Sequence, residues 1–198
     1  MIGSTADTVV APPRRQAGLA EAGGVLPGDG LVEFALRVAR GSTAERVAFH
    51  AGYRSASADP GVDHVSVITE LRRLVLLAET HGGEWRDARA AAAEALAPHR
   101  GRLTVEARIR FHPKNGYTSL PRLDVHLGST FAVQPALEVR TEPIDGPEPA
   151  GPADLRAIVG AVVEATFAAP VARTVHTLVV YVDNVYMLLA TIDLTRMP

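Results

Sequence analysis

The sequence contains no cysteine. That one absence removes disulfides, thiolate metal sites, cysteine nucleophiles and thiol redox switching from the functions open to the chain. It also fits a protein of the cytoplasm, where thiols stay reduced and disulfides are rare. Positive charge is not in surplus either. The 198 residues carry a formal net charge of −2, too little cation to neutralise a run of phosphates, so no nucleic-acid partner is expected. No apolar run approaches the roughly 20 residues of a membrane span. The opening stretch MIGSTADTVVAPPRRQAG lacks the apolar centre of a secretory signal. No membrane partner is expected. Lysine is nearly missing as well: Lys114 stands alone and every other cation is arginine. Together with alanine runs such as RDARAAAAEALAPHR, this reads as the codon bias of a GC-rich genome.

Short motifs are missing too. There is no HExxH, no GxGxxG, no GxxxxGK[ST] and no GxSxG. Zincin, dinucleotide, P-loop and serine-hydrolase chemistry therefore have no sequence support, and no cofactor is expected. The seven histidines (50, 64, 81, 99, 112, 126 and 176) show no close ligand spacing, so no metal site is expected. His81 and His99 fall near expected helix C-termini, where a cation is favourable for structural reasons alone.

What is present is an ordinary globular composition, 47% hydrophobic and 21% charged. A single domain of this size buries roughly 70% of its unfolded surface and needs no staple. Residues 1–24 are rich in Gly, Pro, Ser and Ala and read as a flexible tail before a single domain over 25–198.

LVEFALRVAR alternates, with Val32, Phe34, Leu36 and Val38 on one side, and ERVAFHAGYRS alternates after a GST turn. The pair reads as an opening β-hairpin. Val65, Ile68, Leu71, Leu74, Val75 and Ala78 then recur at helical spacing, which predicts a helix over 62–80, with Asp59 or Asp63 at its start and Gly82 at its end. A second helix is expected over 84–97, with Trp85 in a core or helix–helix contact, and a third over 152–168 with Pro152 in its first turn. RLTVEARIRF and LPRLDVHLG alternate around PKNGY, whose Asn-Gly step signals a hairpin turn. FAVQPALEVR is a further strand that Pro135 confines to an edge or a bulge. VHTLVVYVDNVYMLLATIDL reads as a hairpin apolar on both faces, hence covered on both faces. The expected order is ββααβββαββ. It implies an α+β fold: a single curved antiparallel sheet of about seven strands with three helices on one face, or that sheet partly closed into a barrel.

The chemistry-bearing stretch is FHPKNGYTSLPRLDVH. Pairing Ile109 with Leu123 keeps apolar residues facing apolar ones. It sets Glu106 against His126, Arg108 against Asp124 and Arg110 against Arg122 on the outward face, each couple about 5 Å apart at Cβ. One reading is a solvated face laced with ion pairs. The other is a cup, with the small outward residues Ala35, Ala39, Ala48 and Gly52 leaving room beside Arg37 and His50. On that reading His126 is the proton carrier, oriented by Glu106 or Asp124. Arg108, Arg110 and Arg122, with His50 and Arg37, hold an acidic group or a developing enolate. The expected function is then a cofactor-independent isomerase, cyclase or lyase acting on a small acidic or carbonyl-bearing metabolite. The competing expectation is a non-catalytic ligand-binding or assembly module, with a homodimer among its partners. Lys114 sits at the turn tip and is expected to be solvated.

Overall fold

The computed structural model describes residues 29–82, 88–128, 133–147, 156–169, 174–184 and 186–197. The expected tail over 1–24 lies outside these.

Four α-helices and nine strands are present among the described residues. Residues 31–40 and 44–51 are helices, not a β-hairpin: α1 is Asp29–Arg40 and α2 is Thr43–Ala51. In LVEFALRVAR, apolar residues alternate with small or charged ones, so periods of 2 and of 3.6 both fit. The helix wins by burying Val32, Ala35 and Ala39 at three- and four-residue spacing. The strand reading had turned those two alanines outward. The start of α2 is fixed by a capping box. Ser42 Oγ accepts from Glu45 N at 3.3 Å, and the Glu45 carboxylate accepts from Ser42 N at 2.7 Å.

The expected helix over 62–80 is a helix only in its second part. After the short β1 (Arg54–Ser55), β2 runs Val62–Ile68, and α3 follows as Glu70–Thr80. Val62, Val65, Val67 and Ile68 are β-branched, which suits a pleated surface better than a helix. Thr69 is the N-cap, accepting from Arg72 N. Neither Asp59 nor Asp63 caps it. Asp59 accepts from Gly61 N and Leu189 N, and Asp63 pairs with two arginines. Helix α4 is Ala88–Leu96, inside the expected 84–97; Trp85 lies outside the described residues. A 3₁₀ turn, Ala97–His99, ends it.

The remaining strands are β3 (Arg102–Arg110), β4 (Leu123–Gly128), β5 (Val133–Pro135), β6 (Glu138–Asp145), β7 (Ile158–Ala168), β8 (Val175–Val182) and β9 (Tyr186–Asp193). Strand β7 replaces the expected helix over 152–168; Pro152 lies outside the described residues. IVGAVVEATFA carries alanines that mimic a helix, yet Ala161, Val163, Ala165 and Phe167 alternate and are buried. At Gly160 an added Cβ would collide with Ile109 O across the β3–β7 ladder, so only glycine permits this approach.

The strands form two antiparallel sheets rather than one, and neither is a closed barrel. The five-stranded sheet has the order β1-β2-β3-β7-β6 and the four-stranded sheet β5-β4-β8-β9. One face of each joins a common apolar core that includes Val65, Val105, Ala165, Phe167, Leu178 and Ile192. Strand β5 is an edge, as Pro135 implied, but the single strand expected over FAVQPALEVR is divided between β5 in one sheet and β6 in the other. The expected β3–β4 hairpin does not exist. Ile109 faces Val62 and Ala161, and Leu123 faces Val182. Parity allowed the Ile109–Leu123 register but could not say which sheet each strand joins. The connection at 111–122 crosses from one sheet to the other. It is pinned by Phe111 N to Val159 O and Ile158 N to Tyr117 O, and the Phe111 and Tyr117 rings meet at 5.0 Å. Its 3₁₀ turn at Pro113–Asn115 ends on Gly116 in the left-handed region.

The C-terminal hairpin turns at Asp183 and Asn184, both with positive φ, as the DN signal suggested. It is not covered on both faces. Leu178, Val180 and Leu188 are buried, whereas Val175, Tyr181, Met187 and Leu189 are exposed, and β9 is an edge strand. The helices pack on the outer face of the five-stranded sheet around a second core of Val32, Leu74, Val75, Ala78 and Leu96, with Phe49 touching both clusters. No described helix is long and apolar enough to cross a membrane.

Candidate functional site at the helix–sheet step

The register places Arg54, Ser66, Glu106, Glu164 and Arg140 in one row across all five strands of the larger sheet. Ile68, Thr104, Thr166 and Glu138 form the row on one side; His64, Arg108, Val162 and Glu142 form the row on the other. Period two in the strands requires this: core residues at odd positions of β3 and β7 leave the even ones outside.

Helix α3 lies over the first rows because Thr69 starts it directly after β2. Its third residue, Arg72, is buried. One guanidinium nitrogen (Nη1) donates to Ser66 Oγ at 2.5 Å and to Val67 O at 2.6 Å, Nε donates to His50 Nδ1 at 3.4 Å, and the group sits 5.4 Å from the Tyr53 ring centre. An Nδ1 that accepts leaves Nε2 as the protonated nitrogen, which points at both Glu79 carboxylate oxygens at 3.1 Å. His50 thus links α2 to α3. Burial pulls the Arg72 guanidinium below the ordinary arginine value and Arg54 adds to this, while Glu106, Tyr53 and Glu79 oppose it. Arg73 is lowered mainly by burial too, opposed by Glu164, and its Nη2 donates to Thr104 Oγ1 at 3.1 Å. No carboxylate lies within ion-pair distance of Arg72 among the described residues.

Glu106 and Glu164 are direct cross-strand neighbours on β3 and β7, half-buried beside Arg72 and Arg73 of α3. Their Cβ atoms are therefore about 5 Å apart. Neither carboxylate makes a hydrogen bond or an ion pair with a described residue, although arginines stand on every side. His99, at the end of α4, completes the rim. Its imidazole is held below its ordinary value, first by burial and then by Arg73 and Arg102, with Glu164 opposing and Arg140 adding a little. No group of three or more His, Asp or Glu residues suited to a metal ion occurs among the described residues.

The residues singled out from sequence are divided by the two sheets. Glu106, Arg108 and Arg110 lie on the outer face of the five-stranded sheet, with His50 in the helices above it. Asp124 and His126 lie on the outer face of the four-stranded sheet, with Arg122 just before β4. The expected couples Glu106–His126, Arg108–Asp124 and Arg110–Arg122 do not form. Arg108 and Arg110 instead share Asp63, at 3.4 and 2.6 Å, so their mutual repulsion is relieved inside the protein. Arg122 pairs with Asp124 at 3.2 Å. His126 opposes Val179 and Pro135 and meets the Tyr181 ring edge-on at 5.5 Å. Arg37 is exposed on α1, stacks over Phe34 and lines a shallow depression with Glu33, Arg40 and Glu45, away from the other candidates. Lys114 is exposed, as expected.

Sequence reasoning missed Arg72, Arg73 and Glu164. Arg72 had a legible signal, since it occupies the apolar stripe three residues before Val75 and six before Ala78. Glu164 had none once its segment read as helix. Compared with protein-family models, curated proteins and solved structures, the chain finds no match in any of the three.

Proposed function

We propose that the chain is a cofactor-independent small-molecule enzyme of the isomerase or lyase type, whose site is the helix–sheet step around Glu106 and Glu164. The observation that carries this reading is the pair of neighbouring half-buried carboxylates without hydrogen-bond donors among the described residues, set beside a buried arginine without a carboxylate among them. A native fold rarely leaves such groups unpaired unless something else pairs them. The unpaired carboxylates call for hydroxyl or amine donors, and the arginines call for an acidic or carbonyl oxygen. A small hydroxy, keto or amino acid offers both. An ionised carboxylate only accepts, and a protonated one donates. One glutamate, as carboxylate, can therefore take the proton from the carbon beside a carbonyl while the other, as carboxylic acid, delivers its own proton to the neighbouring atom, with the Arg72 charge facing the enolate oxygen. The pair gains one proton and gives one up, and proton exchange between the two neighbouring carboxyls resets it for the next turnover. His126 and Asp124 have no part in this version of the site.

Thermal-shift measurements across a panel of hydroxy, keto and amino acids test the proposal. A ligand that stabilises the wild type should stabilise His126→Ala equally and should lose most of its effect on Glu106→Gln and Glu164→Gln. Equal responses from the wild type and both glutamine variants would remove the step from consideration. A response lost only in His126→Ala would return the site to the other sheet.

A further inference from the structure

The outer face of the four-stranded sheet has no role in that site, and it is the part of the molecule least suited to water. Along β4, β5, β8 and β9 the outward positions hold His126, Val133, Tyr181, Met187 and Leu189, with Val179 half-buried among them. Val133 is 68% exposed, Met187 47% and Leu189 39%. One antiparallel face is normally solvated and polar. This one carries five exposed apolar side chains, Val133, Val175, Tyr181, Met187 and Leu189, among only a few polar ones (Asp124, His126, Thr177, Thr191 and Asp193), the pattern of a face that meets another protein surface.

We propose that this face docks against the same face of a second copy of the chain, sheet on sheet, to form a two-fold dimer. Three features select this occupant. First, the ends of the face carry matched charges: Arg122 with Asp124 at one end, and Asp193 with Arg196 at the other. Each end holds one cation and one carboxylate. Each end is therefore net neutral, and a two-fold axis lying in the interface lays neutral pair over neutral pair without net repulsion. A surface aimed at an acidic or basic partner, or at an anionic membrane, would instead show one sign. Second, edge-to-edge pairing is discouraged. The β9 edge is occupied at Leu189, whose N–H donates to Asp59 and whose carbonyl accepts from Ser57, and β6 guards the other sheet's edge with Glu138, Arg140, Glu142 and Pro143. At these two edges strand pairing is disfavoured, and face stacking is favoured in its place. Third, the size is right for a weak dimer. At standard strand spacing and rise the face covers a plane of about 400 Å², and standing side chains raise its accessible area. Two such faces fall near the lower bound of specific interfaces, so the dimer should be concentration-dependent rather than obligate.

Sedimentation equilibrium of the full chain from about 1 μM to about 1 mM tests this. The expected result is a mass rising from 21.0 kDa toward twice that value. Met187→Glu and Leu189→Arg place charge at exposed positions, so the fold should survive, which circular dichroism verifies. Each should weaken association at least about tenfold, equivalent to about 1.4 kcal/mol. Val47→Arg, on the exposed side of α2, should leave it unchanged, and so should Glu106→Gln, which separates this outcome from the fate of the proposed site. A mass of 21.0 kDa at every concentration overturns the proposal. So does undiminished association of both charged variants. Binding of the wild type, but not Leu189→Arg, to neutral phosphatidylcholine vesicles without self-association would assign the face to lipid and overturn it too.

Discussion

The two sheets share a core but present opposite kinds of surface on their far sides. The outer face of the five-stranded sheet is polar, yet it is the one the protein covers. Helix α3 lies over part of it with α1 and α4 packed on α3, and Arg72, His50 and Glu79 bring their own hydrogen-bond partners into the burial. The outer face of the four-stranded sheet is largely apolar, yet no described element covers it. Hydrophobicity alone would have assigned the helices the other way round. Local connection decides instead. Helix α3 begins one residue after β2 ends, so it must fold back over the sheet that holds β2, and α1 and α4 follow through their contacts with it. Among the described residues no helix adjoins the apolar face, which is why a second copy is the fitting cover.

The sharpest way to break this comparison lies within one hairpin. Leu178 faces the core and Leu189 faces out. Leu178→Ala should cost about 2–5 kcal/mol through lost burial and a residual cavity. Leu189→Ala should cost under about 1 kcal/mol when measured in dilute solution. Urea denaturation of both variants gives the numbers, and equal losses would mean that both faces are packed in the monomer.

Arg72→Ala comes next. It removes the guanidinium bonds to Ser66, Val67 and His50 and should cost about 2–3 kcal/mol. The same substitution at exposed Arg140 should change stability by less than about 0.5 kcal/mol. A small loss at Arg72 would show that the helical layer rests on its apolar stripe alone. Smaller again is Ser42→Ala, expected to cost about 1 kcal/mol by removing half of the capping box of α2.

The smallest effect concerns acid. His99 has a folded value held below the ordinary 6.5. The unfolded chain therefore binds its proton at a higher pH than the folded one. The associated stability is present above about 6.5 and is lost as pH falls below it, toward the folded value. Comparing wild type with His99→Asn at about pH 7.5 and about pH 5 should show a shallower acid loss in the variant. An unchanged slope would place the acid sensitivity elsewhere in the polar layer.

Several elements were legible without coordinates: β3 and β4, the turn at Asp183-Asn184, the C-terminal hairpin, the C-terminal part of the 62–80 helix and the edge position of β5. In each case a local rule sufficed, whether clean alternation, a turn residue at positive φ or a proline in a ladder. Segments mixing alanine with β-branched residues were misjudged in both directions. LVEFALRVAR became a helix and IVGAVVEATFA a strand, because alanine fits either period and burial by distant partners chose between them. The same limit governed the site. Parity placed Glu106, Arg108 and Arg110 on one face of β3, and Asp124 and His126 on one face of β4, and both placements hold. Which strands pair is a question of long-range contact. It was the crossing of residues 111–122 between sheets that set His126 beside Tyr181 and gave Glu106 a glutamate from β7 for its neighbour. The amino-acid order by itself determined which side of each strand a residue occupies, because side-chain alternation is a property of the backbone. Only the tertiary structure decided which sides meet, because that depends on burying apolar area shared by residues far apart in the chain.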